Sequence, residues 1–301
     1  MNILVTGGAG YVGSELVPRL ADAGHDVRVL DDFALSSPRN LMGADVQRYE
    51  FVRGDVRDPD VVERAVEDVD AVVHLAAVTG AAQSHEVRDR VMDVNVGGTE
   101  TVVSAAEDAG VDRLVLASSC NVYGDAYDEE LTEESEPAPG NPYAESKLRA
   151  ESVCADSAVE SVALRLATNF GYSPGVRFNL VVNDFTFRAL TGDPLTVYGD
   201  GTNWRPYLHV RDTARAFAAA LDWPTGVYNV GHDNVRVQTV AETVADEVGR
   251  AVDVTYLGDR DPGPSYHVDF GRMREVGFEP TLSLRDGIAD LASQFTAEVA
   301  A

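Results

Sequence analysis

Lysine is nearly absent from this chain: Lys147 stands alone beside 23 arginines. Cysteine is scarce too. Cys120 and Cys154 support neither a disulfide framework nor a zinc site, and no other metal-ligand spacing occurs, so no metal is expected. Two free thiols fit a reducing compartment, and the cytoplasm is the expected location. No run of about 18 apolar residues is present, which excludes a membrane-spanning helix. Met1-Asn2-Ile3-Leu4-Val5 enters strand-like sequence without a basic region or signal core. Positive charge is short as well: 24 basic residues against 50 acidic ones give a formal charge of −26. That field opposes nucleic acid and anionic membranes as partners. The carboxylates are dispersed, with only short clusters such as Asp128-Glu129-Glu130. Dispersion reads as a solvated, salt-adapted surface of the halophilic kind rather than as an acidic tail.

What is present is a globular pattern. Val-, Ile- and Leu-rich runs mark strands at Asn2–Thr6, Asp26–Leu30, Gln47–Arg53, Ala71–Leu75, Arg113–Ser118 and Val162–Leu166. Between them lie helix-like segments at Tyr11–Ala23, Pro59–Glu67, Arg88–Ala109 and Pro142–Cys154. Near-continuous apolar strands alternating with helices specify an α/β fold, a Rossmann-type doubly wound parallel sheet covered on both faces. Beyond residue 168 turn signals crowd in, and helices are expected at Val181–Leu190, Asp212–Leu221 and Thr239–Arg250. The expected organisation is a dinucleotide-binding domain over 1–168 and a smaller C-terminal substrate lobe over 169–301, some of whose segments return to the first domain. The acidic stretch Asp125–Glu136 reads as a solvated loop.

The first strand runs directly into Thr6-Gly7-Gly8-Ala9-Gly10-Tyr11-Val12-Gly13, which opens the first helix. Glycines suit a turn whose backbone must approach a pyrophosphate at a positive helix N-terminus. Asp31 closes the second strand 18 residues after Gly13, where an acid bonds the adenosine ribose hydroxyls and repels a 2′-phosphate. NAD is therefore expected over NADP. Asp32 can share that role or serve as a turn residue. Asp55-Val56 after the third strand offers a carboxylate to the adenine amino group, while Asp58 suits a helix cap before Pro59. His74 reads as a packed residue, and the small Leu75-Ala76-Ala77 lets backbone lie against a cofactor.

Ser118-Ser119-Cys120-Asn121 ends the fifth strand, at the edge where open α/β sheets place ligands. Tyr143 and Lys147 follow on a helix opened by Pro142, spaced i,i+4 and so on one face. An ammonium close to a phenol favours phenolate and lowers its pKa from about 10, giving an acid/base usable near neutral pH. Ser119 can hydrogen-bond the same substrate oxygen. These residues nominate Ser119, Tyr143 and Lys147 as the reaction centre.

Together with Asn95, Arg165-Leu166-Ala167-Thr168-Asn169-Phe170-Gly171, Tyr198 through Val210 and Tyr228-Asn229-Val230-Gly231, these motifs span most of the chain. The chain resembles the extended short-chain dehydrogenase/reductase family, in particular NAD-dependent nucleotide-sugar epimerases and dehydratases of the UDP-glucose 4-epimerase type. The resemblance implies that Lys147 also holds the nicotinamide ribose and that Asn95 supports the hydrogen-bond network. Gly7, Gly10, Tyr11, Val12, Gly13, Asp31, Asp32, Asp55, Val56, Leu75, Ala76, Ala77, Ser118 and Tyr143 would complete the cofactor site. Ser119, Asn121, Tyr143, Asn169, Asn179 and Leu180 would meet a nucleotide-diphosphate sugar, with Arg205 on its diphosphate.

Related 4,6-dehydratases carry Asp-Glu where this chain has Cys120-Asn121, which disfavours dehydration. The implied reaction is epimerisation at C4 through a transient 4-keto sugar. A keto-sugar reductase or sugar dehydrogenase is the alternative, and a non-catalytic dinucleotide-binding scaffold a remoter one. Cys120 is a minor candidate for proton transfer and more readily a packed residue. A homodimer is implied by the resemblance alone.

The dispersed acidic surface predicts that the unfolding temperature and activity fall as salt is withdrawn. Thermal scans across ionic strength test this, and indifference to salt refutes it.

Overall fold

A computed structural model describes residues 1–42, 49–81, 83–249 and 251–295, with residues 127–129 described for their backbone only. In chain order, β1 (Asn2–Thr6) leads to α1 (Gly13–Asp22), β2 (Asp26–Asp31), β3 (Tyr49–Arg53), α2 (Pro59–Val66) and β4 (Ala71–His74). Next come α3 (Arg88–Met92), α4 (Gly98–Ala109), β5 (Arg113–Ser119), β6 (Ala126–Leu131), α5 (Pro142–Ala155), β7 (Glu160–Leu166) and β8 (Thr168–Phe170). The remainder comprises α6 (Val181–Thr191), β9 (Leu195–Tyr198), β10 (Trp204–His209), α7 (Val210–Ala220), β11 (Gly226–Val230) and β12 (Asp233–Arg236). Last are α8 (Val237–Val248), β13 (Val254–Leu257), β14 (Tyr266–Val268), α9 (Gly271–Glu275) and α10 (Leu284–Ser293).

Seven strands form one sheet in the order β3-β2-β1-β4-β5-β7-β11, with every neighbouring pair parallel. The apolar runs dictate this, because alternate residues of one strand feed two cores. Ile3, Val5, Val73 and Val115 join Leu16 and Val17 of α1 and Phe217 of α7 on one face. Leu4, Val72, Leu114 and Leu116 join Val62 of α2, Val102 of α4 and Ala150 of α5 on the other. This is the doubly wound Rossmann architecture. The sheet order reverses beside β1, so the crevice between the carboxyl ends of β1 and β4 is the ligand position.

Beyond residue 168 a smaller unit forms around Phe170, Phe185, Leu195, Val197, Val240, Val244 and Ile288. There β10 pairs in parallel with β8 and antiparallel with β12. The chain then contributes β11 to the edge of the large sheet.

Two expectations need correction. The acidic stretch 125–136 is not all loop: β6 pairs in parallel with β14. Asp125 accepts the Ser265 N–H at 2.9 Å, and Leu131 is buried in the core with Tyr266 and Val268. That long-range pairing outweighs the local preference of its acids. The single helix expected over 88–109 is divided by a π-helical turn, Asp93–Gly97, which carries the buried Asn95. Gln47 and Arg250, at the ends of two expected elements, lie outside the described residues.

The first turn shows why glycine is required. Gly7 has φ +68°, and a Cβ there would lie 2.8 Å from the Ala76 nitrogen. A Cβ on Gly13 would lie 2.4 Å from the Gly8 carbonyl oxygen. Backbone against backbone cannot yield as a side chain can. Gly13→Ala is expected to lower stability by about 2 kcal/mol or more and to weaken NAD binding, read by thermal unfolding and NAD titration. Native stability in this variant would refute the packing argument.

Candidate active site

The dinucleotide end is built around the β1–α1 turn. Gly10 N–H bonds the Gly7 carbonyl at 3.0 Å, and the first amides of α1 face the crevice as an anion site. Buried Asp31 is fixed to this turn by the Ala9 N–H at 3.0 Å on Oδ2, while Oδ1 accepts Phe33 N–H at 2.9 Å and the Ser36 hydroxyl at 2.7 Å. Oδ2 keeps acceptor capacity for a ribose hydroxyl. Its negative charge beside the turn opposes a 2′-phosphate. The clearance at Gly7 and the acid at Asp31 together fit NAD.

Asp32 accepts the Ala34 N–H at 2.9 Å, a turn-forming bond. Asp55 is held by Arg57, with Nη2–Oδ2 at 2.6 Å, and this pairing keeps its carboxyl below the usual range. Val56 is buried under Gly98. Asp58 caps α2. Leu75 N–H bonds the Thr6 carbonyl at 3.1 Å and Ala76 N–H the Thr6 hydroxyl at 3.3 Å, which lays 75–77 beside the glycine turn. Asn95 bonds both the N–H and the carbonyl of Val78, at 2.7 and 3.0 Å, and the Ser146 hydroxyl of α5 at 2.9 Å. It thereby ties that loop to the helix bearing Tyr143 and Lys147. Val12 packs against the core.

Asn141 caps α5 by accepting the Ala144 N–H at 2.9 Å, and Pro142 takes the first helical position. This start aims Tyr143, half-buried, and Lys147, 4% exposed, at the end of β5. The ammonium is 5.8 Å from the Tyr143 ring centre. Ser119 Oγ accepts the Asn121 N–H and side-chain amide at 3.2 and 3.1 Å. Both acceptor positions are then engaged, and its proton is free to donate. Cys120 is sealed, its thiol donating to the Arg165 carbonyl at 3.1 Å and pushed up by burial, so it packs. His74 bonds Thr6 at 2.7 Å and Thr99 at 3.1 Å. Ser118 donates to Glu151.

The expected depression of the Tyr143 pKa is not what the geometry gives. Burial raises it, opposed by Arg177 and by the Ser119 hydroxyl. Desolvation of the phenolate outweighs the guanidinium of Arg177. Lys147 pays the same penalty in the opposite sense, pushed down by burial to about 8.

On the far side, Arg205 lies over the Tyr266 ring at 5.4 Å and bonds the Pro262 carbonyl at 3.3 Å, while its buried Nη1 has no partner among the described residues. A buried guanidinium nitrogen left unmatched suits an incoming phosphate oxygen. Asn203 Oδ1 and the Tyr207 hydroxyl are likewise unmatched. Tyr266 donates to Asn121 Oδ1 at 3.5 Å, linking Arg205 to the carboxyl end of β5. Asn169 is engaged by the Ala167 carbonyl and Thr213, at 2.9 and 2.8 Å. Exposed Asn179 accepts Arg177 Nε at 3.3 Å, and Leu180 stands at the N-cap of α6.

Arg177 escaped the sequence reading because no motif marks it. Its backbone is fixed by Asn183, whose amide also meets the Tyr11 hydroxyl at 3.3 Å and the Gly171 N–H at 2.9 Å. Tyr11 donates to the Gly171 carbonyl at 2.7 Å, and Ser173 to the Tyr11 carbonyl at 2.9 Å. The segment after β8 is thus strapped across the glycine turn.

Sheet order, glycine turn and Asp31 define a nicotinamide-dinucleotide enzyme. The chain belongs to the NAD dependent epimerase/dehydratase family, whose sequence profile matches residues 3–231. Its cofactor is NAD. It is 34% identical to the low-salt glycan biosynthesis protein Agl12 of Haloferax volcanii, across 96% of each chain. The Thermus thermophilus UDP-glucose 4-epimerase, solved with NAD, superposes with a TM-score of 0.86 at 31% identity over 99% of this chain and 100% of that one. DesIV, a dTDP-glucose 4,6-dehydratase of Streptomyces venezuelae solved with NAD and TYD, superposes at 0.88 and 31% identity over 97% and 96%. No helix among the described residues is long and apolar enough to cross a membrane.

A lysine depressed from 10.5 to about 8 on folding binds fewer protons folded than unfolded across that window. Its contribution to stability is absent below the folded value and grows as pH rises towards the unfolded one. Lys147→Met in nucleotide-free protein is therefore expected to unfold at a higher temperature than wild type at pH 7. That difference should shrink as pH rises towards 10. A lower unfolding temperature at pH 7 contradicts the assignment.

Proposed function

We propose that the protein inverts C4 of a nucleotide-diphosphate sugar through a transient 4-keto sugar. The observation that carries this reading is the pair after Ser119. Loss of water needs an acid and a base at the neighbouring carbons in addition to Tyr143. Cys120 is 0% exposed, with its thiol proton directed to a carbonyl, and the Asn121 amide is neither an acid nor a base near neutral pH. Proton transfer is thereby confined to one substrate oxygen.

In this reading Tyr143 takes the proton of the C4 hydroxyl and returns it after inversion, and Ser119 donates to the same oxygen. The raised pKa of Tyr143 suits its return of the proton. Lys147 and Arg177 supply the positive potential that its ionised form requires. NAD, when bound, supplies the hydride acceptor and donor. Gly7, Gly10 and Gly13 would admit its diphosphate, and Asp31 its ribose. Arg205 would hold the sugar nucleotide by its diphosphate, leaving the sugar as the part that turns to present either face.

The test is proton NMR of UDP-, dTDP-, GDP- and CDP-sugars incubated with the enzyme and NAD. A C4 epimer without net NADH is expected, and Tyr143→Phe should lose at least about a hundredfold in rate. A 4-keto-6-deoxy product indicates dehydration instead. Stoichiometric NADH indicates a dehydrogenase.

A further inference from the structure

Glu151 takes no part in the chemistry above, yet it is buried one helical turn beyond Lys147. Its carboxylate is 7% exposed and accepts the Ser118 hydroxyl from the end of β5. Arg165 of β7 grips it as well, with Nε at 3.0 and 3.2 Å from its two oxygens and Nη2 at 2.8 Å. Removing such a pair from water costs about several kcal/mol per ion, and apolar substitutes often leave a protein as stable. Packing alone therefore does not account for it.

The neighbourhood of Lys147 supplies the reason. Tyr143, Glu151 and Cys154 act on it from α5 and His74 from β4. His74 is pushed down to about 3 by burial and by the ammonium itself, so it is neutral. Cys154 is pushed up to about 12 by burial and then by Glu151, so its thiol stays protonated and supplies no negative charge at neutral pH. Tyr143 is held protonated by burial. Arg165 sits beyond the carboxylate, with Nη1 on the Tyr123 hydroxyl at 2.9 Å and its guanidinium 5.0 Å from that ring. Burial lowers the Lys147 pKa, opposed by Cys154 and then Glu151; with the Cys154 thiol protonated, Glu151 is the carboxylate among the described residues that opposes it.

We propose that Glu151 is a positioning residue for Lys147: its carboxylate, fixed by Ser118 and Arg165, keeps the ammonium charged and holds the end of β5 against α5. The proposal rests on Lys147 serving the site as a cation, but its test needs no substrate. Because Lys147 is the chain's only lysine, lysine labelled with carbon-13 at Cε gives a single resonance whose shift follows its ionisation. The wild-type midpoint is expected near pH 8. In Glu151→Gln it should fall by about one pH unit or more, and Glu151→Asp should restore it.

Because Glu151→Gln leaves Arg165 buried without an anion, the double variant Glu151→Met/Arg165→Met is measured alongside. It removes both charges together, and because Arg165 lies beyond the carboxylate it is expected to fold and to show a downward displacement smaller than that of Glu151→Gln. An unchanged midpoint in either folded variant overturns the proposal and leaves the pair a packing role. A displaced midpoint in a protein that epimerises no nucleotide sugar would keep this inference and remove the reaction proposed above.

Discussion

Gly13 and Gly8 meet backbone to backbone, and that contact sets how close α1 comes to the end of β1. With no Cβ to hold them apart, the helix starts at the sheet edge with its free amides over the crevice. Ala9, in the same turn, is then within reach of Asp31 on the next strand. Tyr11 is carried out to the strap that follows β8. The cofactor end and the lobe facing it thus take their positions from one turn of chain.

Around that turn the protein sets charge against its own composition. A chain of formal charge −26 still places cations, Lys147, Arg177 and Arg205, about its site. Among the described residues two of them lack the carboxylate partner that many surface arginines have: Arg205 keeps a buried nitrogen unmatched, and Arg177 meets an amide. An excess of carboxylates elsewhere makes such positions more selective for an incoming anion, because few other places on the molecule attract one.

The fold was legible because its signals are local and repeated. Strand-length apolar runs, separated by helical spacing, leave little choice but a covered parallel sheet. NAD was legible for the same reason, since glycines and Asp31 lie within one strand-turn-helix-strand unit. Contacts between distant segments were hidden. Nothing local in 125–136 announces that it pairs with β14, and nothing in 171–183 announces the strap. Glu151 could have been found, since it repeats the i,i+4 spacing that drew attention to Tyr143 and Lys147. The direction of the Tyr143 pKa could not, because desolvation depends on what the fold stacks around a ring and not on which cation is nearest in sequence.

The strap has a mechanical consequence. Tyr11, Ser14, Ser173, Gly175 and Asn183 knit the glycine turn to the chain leaving β8. A side chain on Gly175 would lie 2.8 Å from the Gly10 carbonyl oxygen. The two lobes therefore behave less like jaws on a free hinge than like a clasp sewn at one corner. Any movement of the lobe bearing Arg205 pulls on the turn that faces the dinucleotide, and whatever stiffens that turn also stiffens the far wall of the crevice.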